Sequence, residues 1–155
     1  MTSLSNAVVL VTGANGGIGT EFVHAALARG AAKVYASART PRQWDDDRII
    51  PLTLDVTDPT SIAAAVIAAS DVTVLINNAG ALPQTASILD VTEEDLRNVM
   101  EINFFAPVLV ARAFAPILTY AERALNELNE VTVPLEREAW VDALGHYILT
   151  KGGRS

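Results

Sequence analysis

The chain of 155 residues contains no cysteine, and its histidines are His24 and His146 alone. Without thiols there is no disulfide framework and no thiolate metal site, and two histidines so far apart make no convincing metal-binding cluster. A chain free of cysteine is also compatible with a reducing compartment. We therefore predict no bound metal and expect a cytoplasmic protein.

Positive charge is scarce as well, because 11 lysines and arginines face 18 acidic residues, a net charge of −7. Nucleic acids and anionic membranes attract cationic surfaces, so neither is expected as the main partner. The N-terminus lacks the positive region of a signal peptide. The apolar stretch 104–118 contains Arg112 and two prolines, and it is shorter than the roughly 20 residues of a membrane span. We expect no export and no membrane partner.

Glycine, by contrast, is concentrated in the segment TGANGGIG at 12–19, directly after the apolar run 7–11. Gly13 would let the chain reverse at the end of a strand, and Gly17 would let backbone amides approach a pyrophosphate. Gly19 would let the following helix pack close to the sheet. Because a helix N-terminus directs free amides at an anion, the segment predicts a dinucleotide-binding turn.

Short apolar runs alternate with helical periodicity along the first two thirds of the chain. Strands are predicted at 8–11, 34–38, 49–54 and 72–76, and helices at 17–29, 61–69 and 93–118. Repeated strand–helix–strand units imply parallel strands with right-handed crossovers. We predict an α/β fold, a Rossmann-like doubly wound parallel sheet of strand order 3-2-1-4 with helices on both faces.

Four motifs in this order resemble the N-terminal half of the short-chain dehydrogenase/reductase family over roughly the first 118 positions. They are the turn 12–19, Asp55 with Val56 after the third strand, the segment 77–80 after the fourth, and Asn103 in the long helix. The resemblance implies a nicotinamide dinucleotide across the carboxyl ends of the strands. It also implies hydride transfer between that cofactor and a small-molecule alcohol or carbonyl compound.

The resemblance places the adenine beside Asp55 and makes the segment 77–80 the floor of the cleft. Asp55 has a second interpretation, since aspartate commonly caps a turn of this kind. The first asparagine of the segment is structural in the family, where it ties strands together. The cofactor-binding residues implied by the resemblance are Gly13, Asn15, Gly17, Ile18, Gly19, Asp55, Val56, Asn77, Ala79 and Gly80.

The choice between NADP(H) and NAD(H) follows from charge at the end of the second strand. A carboxylate that holds the ribose 2′-hydroxyl is expected there. This chain has Arg39 instead and no acid before Asp45. Arg39, with Ser37 or Arg42, could pair with a 2′-phosphate. NADP(H) is therefore favoured, with NAD(H) possible if Arg39 is only a solvated loop cation.

Asn103 precedes Pro107 by four residues, and proline has no N–H to donate. The carbonyl of Asn103 therefore loses its helical partner and must bond something else. The resemblance implies that this residue holds a water in a proton relay. A proline kink with a structural water is the alternative.

Tyr147 and Lys151 share a helix face in the C-terminal segment and have the family's Tyr-x-x-x-Lys spacing. An ammonium near a phenol favours phenolate, so Tyr147 would act as acid/base and Lys151 would lower its pKa. Against this, the tail is exposed to fraying and no serine precedes Tyr147 at family spacing; Thr132 is the nearest hydroxyl. A fortuitous pair is the alternative.

The chain departs from the family after Leu118, where helix-forming sequence follows instead of a fifth strand. We predict a dinucleotide-binding domain at 1–118 and an atypical helical tail at 119–155. Two functions stay open. The chain is either an oxidoreductase of the short-chain type, or a truncated dinucleotide-binding or partner subunit without turnover.

The predicted helix 93–118 is apolar on nearly every side, which is more than a four-stranded domain covers from one direction. We therefore expect a homo-oligomer formed through this helix. Its large apolar residues are Leu96, Val99, Met100, Ile102, Phe104, Phe105, Val108, Leu109, Val110, Phe114 and Ile117.

Overall fold

The computed structural model describes residues 4–83, 85, 87 and 89–129. The chain divides into two compact units, Met1–Glu122 and Arg123–Ser155. The fold below is that of the first unit; of the second, the structure describes helical backbone as far as Asn129. The domain division predicted at Leu118 stays a prediction.

Four parallel strands form the sheet, in the order β3-β2-β1-β4. The predicted fold class and strand order are confirmed. β1 is central, with Val9 opposite Val34 of β2 on one side and opposite Val74 of β4 on the other. The strands are β1 Val8–Thr12, β2 Lys33–Ala38, β3 Ile49–Thr53 and β4 Val74–Ile76.

The helices begin where the sequence supplies caps. The Asp58 carboxylate accepts from the Thr60 amide at 2.9 Å, and Thr92 and Asp95 form a reciprocal capping box. Gly30, at φ +94°, follows the first helix in the left-handed region that favours glycine. The helices are α1 Gly17–Ala28, α2 Pro59–Ala68, α3 Glu93–Met100 and α4 Ala106–Asn129.

The predicted single helix over 93–118 is wrong in one respect, because a π-helical turn at Glu101–Phe105 separates α3 from α4. The Ala106 amide bonds the Glu101 carbonyl five residues back. Pro107 explains the wide turn, since it supplies no amide for an i→i−4 bond and its ring crowds the carbonyl of Asn103.

Alternate residues of β1 face opposite sides of the sheet, and each side has its own apolar core. Leu10 belongs to the core that includes Ile62 of α2 and Phe114 of α4, whereas Val9 belongs to the core that includes Val23 of α1. All five side chains are 5% exposed or less. Helices therefore cover both faces of the sheet, as a doubly wound fold requires.

The span Glu93–Leu118 is long and apolar enough, by length and composition alone, to cross a membrane. A core helix of a soluble domain meets the same test. Ala106, Val110 and Phe114 lie on one side of α4 and are fully buried, and Val110 and Phe114 belong to the sheet's core. Only 17% of the apolar window is buried, so this test does not decide between the two, and the absence of a membrane partner stays a prediction.

Candidate functional site

The candidate site lies where the four parallel strands end. Because all strands run the same way, their carboxyl ends meet at one edge of the sheet. The connection from β1 turns to β2 on one side, while β4 lies on the other side. In open α/β sheets ligands bind at such a reversal of strand order. The glycine turn and the segment 77–80 both lie there.

The glycine turn is tight at two positions. Gly13 has φ +68°, and a Cβ there would lie 2.9 Å from Cα of Ala79. A Cβ on Gly19 would overlap with the Gly13 carbonyl oxygen and would lie 2.8 Å from Nδ2 of Asn78. Gly19 was expected to permit close packing of helix against sheet. The structure shows that it permits close approach to the turn itself and to Asn78.

The first turn of α1 offers amides without a side-chain cap. Gly16 at its N-cap has no side-chain oxygen to accept from these amides, in contrast to the caps of α2 and α3. In the described part of the chain, no acceptor bonds the amides of Gly17, Ile18 or Gly19. A Cβ on Gly17 would meet nothing within 4 Å, and the Ile18 side chain is exposed. An anion can therefore approach this helix N-terminus closely.

Thr12 connects β1 to the floor of the cleft. Its hydroxyl accepts from the amides of Asn78 at 2.9 Å and of Ala79 at 3.0 Å, and it donates to the Ile76 carbonyl at 3.4 Å. The Asn78 side chain donates to the carbonyls of Thr12 at 2.9 Å and Gly13 at 3.3 Å. Neither Thr12 nor Asn78 was predicted as a site residue, although Thr12 opens the glycine motif.

The two asparagines of the segment 77–80 have different partners. The tie between β4 and β1, expected of the first asparagine, is made by Asn78. Asn77 donates through Nδ2 to the Pro107 carbonyl at 3.3 Å, and so links the cleft floor to α4.

Asn103 holds the backbone just beyond the cleft floor. Its Oδ1 accepts from the Ala81 amide at 2.7 Å, and its Nδ2 donates to the Ala81 carbonyl at 2.8 Å. A Cβ on Gly80 would lie 3.3 Å from this Oδ1. The side-chain amide of Asn103 therefore holds the loop after β4 in place. The predicted role of its backbone carbonyl in a proton relay stays a prediction.

Asp55 caps a turn, which was its second interpretation. Its Oδ1 accepts from the amide and the hydroxyl of Thr57, at 2.9 and 2.7 Å. The hydrogen bonds from Thr57 lower the pKa of Asp55, and the charge of Arg39 contributes less. Asp55 is therefore close enough to Arg39 for the two charges to interact. Val56 packs partly buried against the core. Neither observation tests contact with an adenine.

At the end of β2, the prediction that Ser37 could help to bind a 2′-phosphate is wrong. Ser37 is buried, and its hydroxyl donates to the Val11 carbonyl at 3.0 Å, so it serves the sheet. Arg39 is exposed and makes no hydrogen bond or ion pair with any residue that the structure describes. Asn15 donates to the Thr40 carbonyl at 2.8 Å and holds the following loop against the glycine turn.

Tyr147, Lys151 and Thr132 lie outside the described residues, so the predicted acid/base pair stays a prediction. Within the described ranges, no group of three or more histidine, aspartate or glutamate side chains could hold a metal ion.

A parallel sheet of this order, with a glycine turn at the end of its central strand and an uncapped helix after it, defines the Rossmann-like class. A family model described as short chain dehydrogenase matches residues 7–125. This chain belongs to the short-chain dehydrogenase family. The resemblance inferred from the motifs is confirmed.

Known relatives agree with this assignment. The short chain dehydrogenase pigC of Monascus ruber is 30% identical over 151 residues, covering 85% of this chain and 50% of that protein. A short chain dehydrogenase from Burkholderia cenocepacia in complex with NADP is 37% identical, with a TM-score of 0.68 over 77% of this chain and 50% of that one. An NADPH-bound carbonyl reductase from chicken fatty liver is 35% identical, with a TM-score of 0.67 over 76% and 50%. The chain spans about half the length of these proteins.

Proposed function

We propose that this chain binds NADP(H) as the cofactor-binding part of a short-chain oxidoreductase that interconverts a small-molecule alcohol and carbonyl compound. The observation that carries the proposal is the uncapped N-terminus of α1, with open space at Gly17. Free amides and the helix dipole stabilise a pyrophosphate there. Asn78 and Thr12 hold the opposite side of the cleft in place.

Arg39 supports the preference for a 2′-phosphate. Three other cations of the described chain, Lys33, Arg48 and Arg97, each pair with a carboxylate. Arg39 has no such partner there, so its donors remain available to a ligand. A guanidinium pairs with a phosphate through charge-assisted hydrogen bonds, whereas a carboxylate at this place would repel it.

A bound nicotinamide dinucleotide supplies the hydride chemistry. In the proposed reaction Tyr147 donates a proton to the carbonyl oxygen during reduction, or accepts the hydroxyl proton during oxidation of the alcohol, and Lys151 favours its phenolate form. Asn103 keeps the loop after β4 in place through Ala81.

Calorimetric titration of the purified chain with NADPH and with NADH tests cofactor binding. We expect tighter binding of NADPH, and we expect Arg39→Asp to reverse the order. Arg29→Asp is the matched control, because Arg29 is also exposed but follows the far end of α1. Equal affinity for both cofactors in the wild-type protein, or no binding of either, would contradict the proposal.

A dinucleotide-binding subunit without turnover is the second candidate function. The observation that favours it is that the described residues supply groups suited to holding a dinucleotide, which is all that this function needs. A screen of carbonyl reduction with NADPH separates the two functions. Activity that Tyr147→Phe abolishes, with NADPH affinity retained, supports the enzyme; binding without activity above background supports the subunit.

Self-association through the helical segment 93–118 completes the proposal. A stripe of large apolar side chains recurs at four-residue intervals, and each is between 45% and 51% exposed. Exposed apolar surface of this extent is typical of an interface, and a second copy could present the same stripe about a twofold axis. The stripe consists of Leu96, Met100, Phe104 and Val108, with Phe105 beside it.

A further inference from the structure

The loop after β2 is folded back onto α1 by contacts of Arg42. Its guanidinium donates to the Thr20 hydroxyl at 3.2 Å, in the first turns of α1. The same group lies over the ring of Trp44, 3.9 Å from the ring centroid. Together with the bond from Asn15 to Thr40, these contacts keep the segment Arg39–Arg42 beside the glycine turn. The chain's own side chains therefore tie this segment to the glycine turn and to α1.

Arg42 has donors to spare in that position. A guanidinium has five N–H donors, and the single hydrogen bond described for Arg42 goes to a neutral hydroxyl. No carboxylate of the described residues pairs with it, and the same holds for Arg39. Two exposed arginines that form no ion pair with a described carboxylate thus lie in the segment that follows β2, in a chain whose net charge is −7.

Trp44 contacts Arg42 through the face of its ring, and its N–H makes no hydrogen bond with the described residues. Its Nε1 is buried and has no hydrogen-bond partner among the described residues. A buried indole N–H usually finds a partner, so packing must hold the ring. His24 of α1 meets it edge-on, with the centroids 5.8 Å apart, and Trp44 packs against the core on that side of the sheet.

We propose that Trp44 is a positioning residue for cofactor choice. By stacking under Arg42 it holds that guanidinium ready for the ribose 2′-phosphate, as a second cation beside Arg39. This inference rests on the proposed binding of NADP(H). A stacked arginine loses less side-chain freedom when it binds than a solvated one, so the stack favours the phosphorylated ribose specifically. A cofactor with a ribose 2′-hydroxyl has no phosphate to pair with Arg42, so the stack does not increase its affinity.

Two adenosine ligands isolate this contribution without the nicotinamide or any catalysis. Calorimetric titration with adenosine 2′,5′-bisphosphate and with adenosine 5′-monophosphate, at one ionic strength, gives a selectivity ratio for the 2′-phosphate. We expect Arg42→Gln to lower the ratio roughly ten-fold, as loss of a charge-assisted contact does. Trp44→Leu should lower it about three-fold, the size of an exposed cation–π contact. Trp44→Phe, which keeps an aromatic face, should restore most of it.

Affinity for adenosine 5′-monophosphate is the readout that separates positioning from folding. It should stay at the wild-type value in all three variants. Arg29→Gln is the matched control, since it removes the same charge from an exposed arginine that follows the far end of α1. That variant should keep the wild-type ratio.

Several outcomes would overturn the inference. An unchanged ratio in Trp44→Leu, with a lowered one in Arg42→Gln, would mean that Arg42 binds without help from the ring. A parallel loss of both ligands in Trp44→Leu would mean that the ring serves the fold alone. These results leave the proposed function intact. A wild-type ratio near one would instead refute the NADP(H) preference, and binding of neither ligand would refute the dinucleotide site.

Indole fluorescence gives an independent readout of the stack. In a Trp140→Phe background Trp44 is the remaining tryptophan. The 2′,5′-bisphosphate should change its emission, because the guanidinium over the ring then shares its charge with the phosphate. The 5′-monophosphate should change it much less. Equal changes with both ligands would contradict the stack's role in phosphate binding.

Discussion

Replacing Thr12 by valine removes the hydroxyl that joins β1 to the cleft floor and keeps nearly the same shape. Thr12 is 1% exposed, so the valine methyl groups remain buried in the same place. The change leaves the amides of Asn78 and Ala79 without their acceptor, at 2.9 and 3.0 Å in the wild-type protein. The bond to Ile76 is longer, at 3.4 Å, and adds less.

The expected cost follows from these two amide bonds. Each contributes about 0.5–1.5 kcal/mol, so their loss costs about 1–3 kcal/mol of the free energy of unfolding. Asn78 and Ala79 are only partly buried, and water can satisfy part of the loss, which places the value in this range and not above it. With a urea m-value of about 2 kcal/mol per M, the unfolding midpoint falls by about 1 M.

Urea unfolding measures the loss in free energy of unfolding, and hydrogen exchange shows which amides lose protection. The Asn78 and Ala79 amides should exchange about ten-fold faster or more in Thr12→Val, in line with 1.4 kcal/mol per factor of ten. Thr12→Ser keeps the hydroxyl and should keep this protection, although it loses roughly 1 kcal/mol with its methyl group. A valine variant with the wild-type midpoint and wild-type protection would refute this account of the cleft floor.

Three further predictions follow from single contacts. Gly19→Val should abolish NADPH binding in calorimetry, because its side chain would overlap with the Gly13 carbonyl; unchanged affinity would contradict the site. Phe104→Glu should shift the mass in light scattering toward a monomer, and a wild-type protein that is already monomeric at micromolar concentration would refute self-association. Partial burial opposes ionisation of Asp71, but hydrogen bonds from Lys33 and Tyr35 outweigh it and hold the pKa of Asp71 below its ordinary value. That stability is present above the ordinary carboxyl pKa and is lost as pH falls through the lower folded value. Asp71→Asn should therefore cost less than about 1 kcal/mol at pH 7 and progressively less as the pH falls through the folded pKa; a cost that does not change with pH would refute the assignment.

The strands and their order were predictable because short apolar runs between helical segments have few alternative arrangements. The runs 8–11 and 34–38 could be assigned to strands from composition alone. Right-handed crossovers then left few orders, and the doubly wound topology that accompanies a glycine turn of this kind gave 3-2-1-4. The break after Met100 was only half predictable. Pro107 indicates that the Asn103 carbonyl lacks its helical hydrogen bond, but whether the helix kinks or widens there depends on how its neighbours pack.

The candidate site was predictable in its glycines and less so in its polar contacts. Gly13 and Gly19 follow from spacing, since the turn's geometry is local. The role of Asn78 depends on Thr12, which lies 66 residues away in sequence, so no local pattern could assign it. The stack of Arg42 on Trp44 was missed because the polar segment 40–48 shows no periodicity.

The central place of β1 has a consequence for how the chain folds. β1 pairs with β2 across about 25 residues, but its pairing with β4 joins Val9 to Val74, across 65 residues. The entropy of closing the longer loop must be met before that pairing gives any stability, and such non-local contacts slow folding. One of the two hydrogen-bonding edges of β1, the edge that pairs with β4, therefore stays unpaired during synthesis until that segment leaves the ribosome several seconds later.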